Sequence, residues 1–160
     1  MKINGTPTRT IWPAADGWAV EIIDQTRLPH QLTTVRLETL AEAAHAIKAM
    51  LVRGAPLIGA TAAYGMALAA RADPSDPALR AAYQVLHATR PTAINLKWAL
   101  DEMMAALLGL PEAERAAAAQ VRAAALCDED VAINSAIGEH GAPLIAAAWE
   151  QARQRGAARV

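Results

Sequence analysis

Hydrophobic and polar positions fall into two regimes that meet near residue 39. Before it, apolar and β-branched residues come in short runs: Ile11-Trp12, then Trp18, Val20 and Ile22, then Leu32-Thr33-Thr34-Val35-Arg36-Leu37. The Asp16-Gly17 turn signal separates the first two runs, and the pattern predicts a small antiparallel sheet of about three strands. After residue 39 the period becomes helical. Thr39 and Glu42 form a T-x-x-E capping box, and Leu40, Ala44, Ile47 and Leu51 share one face. The chain breaks at Gly54, and Pro56 stands where the first position of a new helix is expected. That helix carries Gly59, Ala63 and Ala67 at four-residue spacing, a smooth stripe that lets a second backbone approach.

Further on, residues 72–77 read as a loop, followed by a short helix over Ala78–His87. Pro91 and Thr92 mark the next start, with Leu96, Leu100, Met103 and Leu107 on one face ending near Gly109. Pro111, Glu112 and Glu114 open a long alanine-rich helix, because acidic residues suit the positive end of the helix dipole. Gly138 and Gly141 punctuate that helix, placing His140-Gly141 in a turn, and a last helix starts at about Pro143. It closes on Arg153, Arg155 and Gly156, and residues 157–160 read as the beginning of a strand.

Composition sharpens this picture. Alanine supplies 41 of the 160 residues, phenylalanine is absent and aromatics make up only 4%. So much alanine favours helices packed at short distance. Charged residues make up 19%, too few for a disordered chain. A net charge of -1 argues against nucleic-acid binding through bulk charge. The polar start lacks the apolar stretch of a signal peptide, and the uncharged run from Gly54 to Ala70 is just short of a membrane span. It reads as a buried helix in a cytoplasmic chain with no membrane partner.

Two places share one arrangement suited to anions. Arg53-Gly54-Ala55-Pro56 sets an arginine and a permissive glycine directly before a helix N-terminus, where unpaired amides and the dipole favour negative charge. Arg90-Pro91-Thr92 repeats it, with Thr92 as a candidate cap. On spacing alone, both read first as surface arginines beside ordinary caps, since capping signals occur in every helical protein. Other candidates are weaker. Cys127 precedes Asp128, Glu129 and Asp130, which would raise its thiol pKa, so it reads as a buried structural cysteine. The acidic run and Asp101-Glu102 read as solvated faces. His30, His45, His87 and His140 share no metal-ligand spacing, and no G-x-G-x-x-G or Walker loop is present.

Three strings carry a resemblance: R-G-A-P-L-I-G from Arg53 with Ala62-Ala63-Tyr64-Gly65, R-P-T-A-I-N-L from Arg90 with Trp98-Ala99, and Ile137-Gly138-Glu139-His140-Gly141. In order and spacing they resemble the S-methyl-5-thioribose-1-phosphate isomerase family, which is related to the regulatory subunits of initiation factor 2B. The resemblance runs from about Ile11 onward, and the R-P-T-A-x-N-L string favours the isomerase branch.

The resemblance implies an α+β chain, mostly α, with a small N-terminal antiparallel sheet followed by a bundle of alanine-rich helices. Residues 1–38 would form the sheet region and 39–156 the bundle, together one N-terminal domain, with 157–160 starting a Rossmann-like C-terminal domain that is otherwise missing. The family's catalytic cysteine, in a C-N-x-G motif, and its catalytic aspartate would lie beyond Val160, and Cys127 does not match that motif. No catalytic residue is therefore assigned, and the chain alone would be inactive. Arg53, Gly54 and Ala55 match the family's substrate-binding R-G-A, and Arg90 its second substrate arginine. The implied reaction converts 5-methylthioribose 1-phosphate to 5-methylthioribulose 1-phosphate in methionine salvage, with no metal or organic cofactor, in a protein that is a homodimer at full length. The alternatives are a non-catalytic module of the initiation factor 2B type and a related ribose-bisphosphate isomerase.

Overall fold

A computed structural model describes residues 2–3 and 5–156, so the expected strand at 157–160 lies outside the described residues. Five strands precede five helices: β1 (Lys2–Ile3), β2 (Thr6–Pro7), β3 (Ile11–Pro13), β4 (Val20–Ile23), β5 (Thr34–Leu37), α1 (Leu40–Lys48), α2 (Ala55–Ala72), α3 (Asp76–His87), α4 (Ile94–Leu107) and α5 (Glu112–Gln154). The chain divides into two compact units, Met1–Leu126 and Cys127–Val160.

In the first unit, the expected three-stranded antiparallel sheet is present in the order β3-β4-β5. Val20 faces Pro13 on one side and Leu37 on the other. The central strand β4 buries Val20, Ile22 and Ile23, so it is sealed by a neighbour along each edge. The turn into it depends on Gly17 at φ 80 and on Asp16, whose Oδ1 accepts from the Trp18 and Ala19 amides. A second, two-stranded sheet of β1 and β2 was not anticipated, because two-residue strands are too short to show a period.

The helices gather around α2. From Leu57 to Ala70 nearly every residue of α2 is buried, which accounts for the uncharged stretch in the sequence. Glycines set the closest approaches. A Cβ on Gly59 would lie 3.0 Å from the Asn95 carbonyl oxygen and 3.5 Å from Ala99 Cβ, so α4 packs directly on the smooth stripe. On another side, a Cβ on Gly65 would lie 3.0 Å from Leu86 of α3 and 3.1 Å from Ala43 of α1. The α4 face is as expected, with Leu96, Leu100, Met103 and Leu107 all buried. The α1 face is not. Thr39 and Glu42 do form the capping box, but Ala43, Ala46 and Ile47 point inward and the helix ends before Leu51. Ala43, rather than Leu40, meets Gly65 of α2, where its methyl already lies 3.1 Å from the position of an added Cβ.

Arg115 ties three segments together. It is 5% exposed, and its guanidinium donates to the carbonyls of Leu110 and Pro74 while pairing with Asp76 at 2.6 Å. Asp101 and Glu102, expected as a solvated pair, are ion-paired: Asp101 with Lys97 at 2.5 Å, Glu102 with Arg122 at 2.8 Å.

The second unit holds the continuation of α5. The expected breaks do not occur, and Gly138, His140, Gly141 and Pro143 all lie inside one helix. Each glycine costs a helix only about 1 kcal/mol, and a proline about 3 kcal/mol, against the many good helix formers around them. The helix ends as expected, with Arg153 in its last turn and Gly156 at φ 68. No described helix is long and apolar enough to cross a membrane.

Candidate functional site: two helix starts

The turn before α2 is built from the end of α1. Leu51 donates its amide to the Ala46 carbonyl and Met50 to that of Ile47, a Schellman closure in which Met50 takes the left-handed conformation at φ 58. The chain then buries Val52 and turns outward, leaving Arg53 exposed. Gly54 is the N-cap of α2 at φ 91 and ψ 138, a conformation that a side chain with a Cβ resists. It has no side-chain cap, and Pro56 stands at the second position of the helix rather than the first. The free first-turn amides are therefore those of Gly54, Ala55 and Leu57, since proline has none and Ile58 donates to Gly54.

The start of α4 is a turn in which the Ala93 amide donates to the Arg90 carbonyl at 3.0 Å. Ala93, not Thr92, is the N-cap, and no side chain caps this helix either. Thr92 fails as a cap because the turn places it one residue too early. The two helix starts are close. Gly59 and Asn95 are in contact, so the second residue of α4 lies about 7.5 Å along α2 from its N-cap, at 1.5 Å of rise per residue. Among the described residues, neither Arg53 nor Arg90 has an ion pair within the protein, so both guanidiniums retain their donors.

Sequence reading missed one neighbour of this site. The loop after β4 lies against the Arg53 turn, with the Gln25 amide donating to the Leu51 carbonyl at 2.9 Å. Asp24 in that loop is buried and accepts from the Thr26 hydroxyl at 2.6 Å and the Thr26 amide at 2.9 Å. The Thr26 hydroxyl bond above all holds the Asp24 carboxyl below its ordinary value, with Arg27 and Arg53 adding favourable charge. No spacing in the sequence links residue 24 to residue 53, because the charge interaction is tertiary. Exposed apolar groups stand near the second helix start, with Ile94 at 83% and Trp98 at 48% exposure. Among the described residues no group of three or more His, Cys, Asp or Glu could hold a metal. Cys127 is buried and forms no disulfide.

Known proteins share this arrangement of sequence. A methylthioribose-1-phosphate isomerase of Paramagnetospirillum magneticum (strain AMB-1) is 72% identical over 147 residues, covering 92% of this chain and 41% of its own. The crystal structure of 5-methylthioribose 1-phosphate isomerase from Pyrococcus horikoshii OT3 superposes with a TM-score of 0.77 at 35% identity, over 84% of this chain and 40% of that one. The translation initiation factor eIF-2B subunit delta from A. fulgidus matches at a TM-score of 0.71 and 36% identity, over 78% of this chain and 38% of that one. The chain thus spans about two fifths of the length of these relatives. The initiation factor 2 subunit family matches residues 51–151, which include both helix starts, and the chain belongs to that family.

Proposed function

We propose that this chain supplies the phosphate-binding part of an aldose–ketose isomerase site for 5-methylthioribose 1-phosphate. The observation that carries the reading is the Arg53-Gly54 turn: an unpaired guanidinium beside a helix N-terminus left uncapped. A phosphate there would accept from the Gly54, Ala55 and Leu57 amides and gain from the α2 dipole. Arg53 would contribute a planar two-toothed contact, and Arg90 would approach from the start of α4. Asp24 would restrain Arg53 by charge, while its own hydrogen bonds to Thr26 keep it ionised.

The chemistry explains why such a clamp matters. A phosphate on C1 blocks simple opening of the sugar ring to an aldehyde, so ring C–O cleavage and hydrogen transfer from C2 to C1 need positioned acid–base groups. Holding the phosphate fixes C1 and C2 against those groups and resists its loss as a leaving group. The chain contains no C-N-x-G string, and its one cysteine is the buried Cys127. We therefore expect binding without turnover from these residues alone, in a cytoplasmic enzyme. The isomerase names of relatives up to 72% identical favour this reading over a regulatory module of the initiation factor type.

The test is a titration of the chain with 5-methylthioribose 1-phosphate, followed by amide NMR. Saturable shifts are expected at Gly54, Ala55, Leu57 and the first turn of α4. Arg53→Ala and Arg90→Ala should each weaken binding by about 1.5–3 kcal/mol, the range for hydrogen bonds to a charged group, and Arg53→Lys should recover part of it. Unchanged affinity in both alanine variants would reduce these arginines to ordinary surface residues and sink the reading.

A further inference from the structure

A second cleft opens in the first unit, away from both helix starts. It has a volume of about 250 Å³ and is lined by Gly17, Trp18, Ala67, Arg71, Ala116, Ala117 and Gln120. Its floor is apolar and shallow-sided because three of those residues are alanines. Beside the Trp18 indole, its polar side chains are two. Arg71, in the last turn of α2, lies with Cζ 3.5 Å from the centroid of the Trp18 ring. At that distance the ring holds the guanidinium as a cation over a π face and leaves its N–H groups free. Among the described residues Arg71 has no carboxylate partner. By contrast Arg36, whose Cζ is 5.7 Å from the same ring, is neutralised by Asp16 and Glu38. The other polar group is the Gln120 amide, which makes no hydrogen bond among the described residues and whose nitrogen is buried. That nitrogen is shielded in the empty cleft, so meeting a ligand requires the soft terminal torsion to turn it outward, a motion that no hydrogen bond opposes.

We propose that this cleft binds a small organic carboxylate. One uncompensated guanidinium offers one positive charge, which matches a carboxylate rather than a doubly charged phosphate. The guanidinium plane presents the paired donors that a planar carboxylate accepts, and a Gln120 amide turned outward would add a neutral donor beside it. The methyl groups of Ala67, Ala116 and Ala117 provide a surface for a short aliphatic chain. The volume falls just below the usual range for drug-sized ligands, which limits the occupant to a few carbons. The site is independent of the Arg53 turn and stands or falls separately from the proposed isomerase reading.

The experiment titrates the chain with butyrate, with butyramide as its neutral counterpart, and with inorganic phosphate. Readouts are the Trp18 indole N–H, assigned with Trp18→Phe, and the Gln120 side-chain amide. Butyrate should give saturable shifts with a Kd on the order of millimolar, while butyramide and phosphate should not. Arg71→Gln should weaken butyrate at least about tenfold, and Arg71→Lys less, with dispersed spectra showing that both variants fold. Equal shifts with butyramide, tighter binding of phosphate, no saturation by butyrate, or indifference to Arg71→Gln in a folded variant would each overturn the assignment.

Discussion

Met50 occupies the left-handed region at φ 58, where glycine is the usual residue of a Schellman closure. A side chain there costs about 1–2 kcal/mol, and glycine would return part of it as extra freedom of the unfolded chain. Met50→Gly should therefore raise stability by roughly 0.5–1 kcal/mol. A urea melt checks this: the midpoint should rise with an unchanged slope. The methionine is half exposed at 49%, so lost packing does not reverse the sign. At Gly54 the argument runs the other way, because φ 91 belongs to the native residue and any Cβ would be strained there. These two residues sit four positions apart and set the direction in which Arg53 leaves the core.

At the scale of elements, the α2–α4 contact positions the two helix starts. A methyl on Gly59 would meet a backbone oxygen, Asn95 O, at 3.0 Å, and a helix carbonyl cannot rotate away as a side chain does. Gly59→Ala should destabilise by about 1–3 kcal/mol through overpacking. It should also weaken 5-methylthioribose 1-phosphate binding although Gly59 itself is buried, because pushing α4 outward moves Arg90 relative to Arg53. Calorimetric melting and the same NMR titration report the two effects separately. Much of this level was legible beforehand: the four-residue stripe of Gly59, Ala63 and Ala67 announced a close helix contact, and the Thr39–Glu42 box is present. What failed was part of the inward face of α1 and the expected breaks within α5 at Gly138, Gly141 and Pro143. Local patterns rank residues by size and propensity, whereas the space left by α2 selects Ala43 and Ala46.

For the molecule as a whole, hydrogen-bonded carboxylates set the acid limb of stability. Asp24 is held low chiefly by the Thr26 hydroxyl, Glu42 by the Glu38 amide, Asp73 by the Ser75 amide and Asp101 by Lys97. A folded pKa below the unfolded value means the unfolded chain takes up protons first as pH falls. The stabilisation is then complete above the ordinary values of 3.8 for aspartate and 4.5 for glutamate, and is lost as pH drops through the lowered ones. Stability should therefore be level from about pH 5 into the neutral range and decline below about pH 4. Asp24→Asn should flatten part of that decline in urea melts run across the range, since Asp24 is the buried member of the set.

The amino-acid sequence by itself determined the order of sheet and helices, the start of α1, that of α2 to within one residue, and the Arg53-Gly54-Ala55 and Arg90 strings. Caps, turns and short periods are local, so neighbouring residues suffice to express them. Only the tertiary structure decided that the Asp24 loop lies against the Arg53 turn, that α4 starts near the start of α2, and that Arg71 stacks on Trp18 beside an unpartnered Gln120. Those pairs are far apart in the chain, and they meet because burying an uncharged helix forces three others and a sheet to close around it.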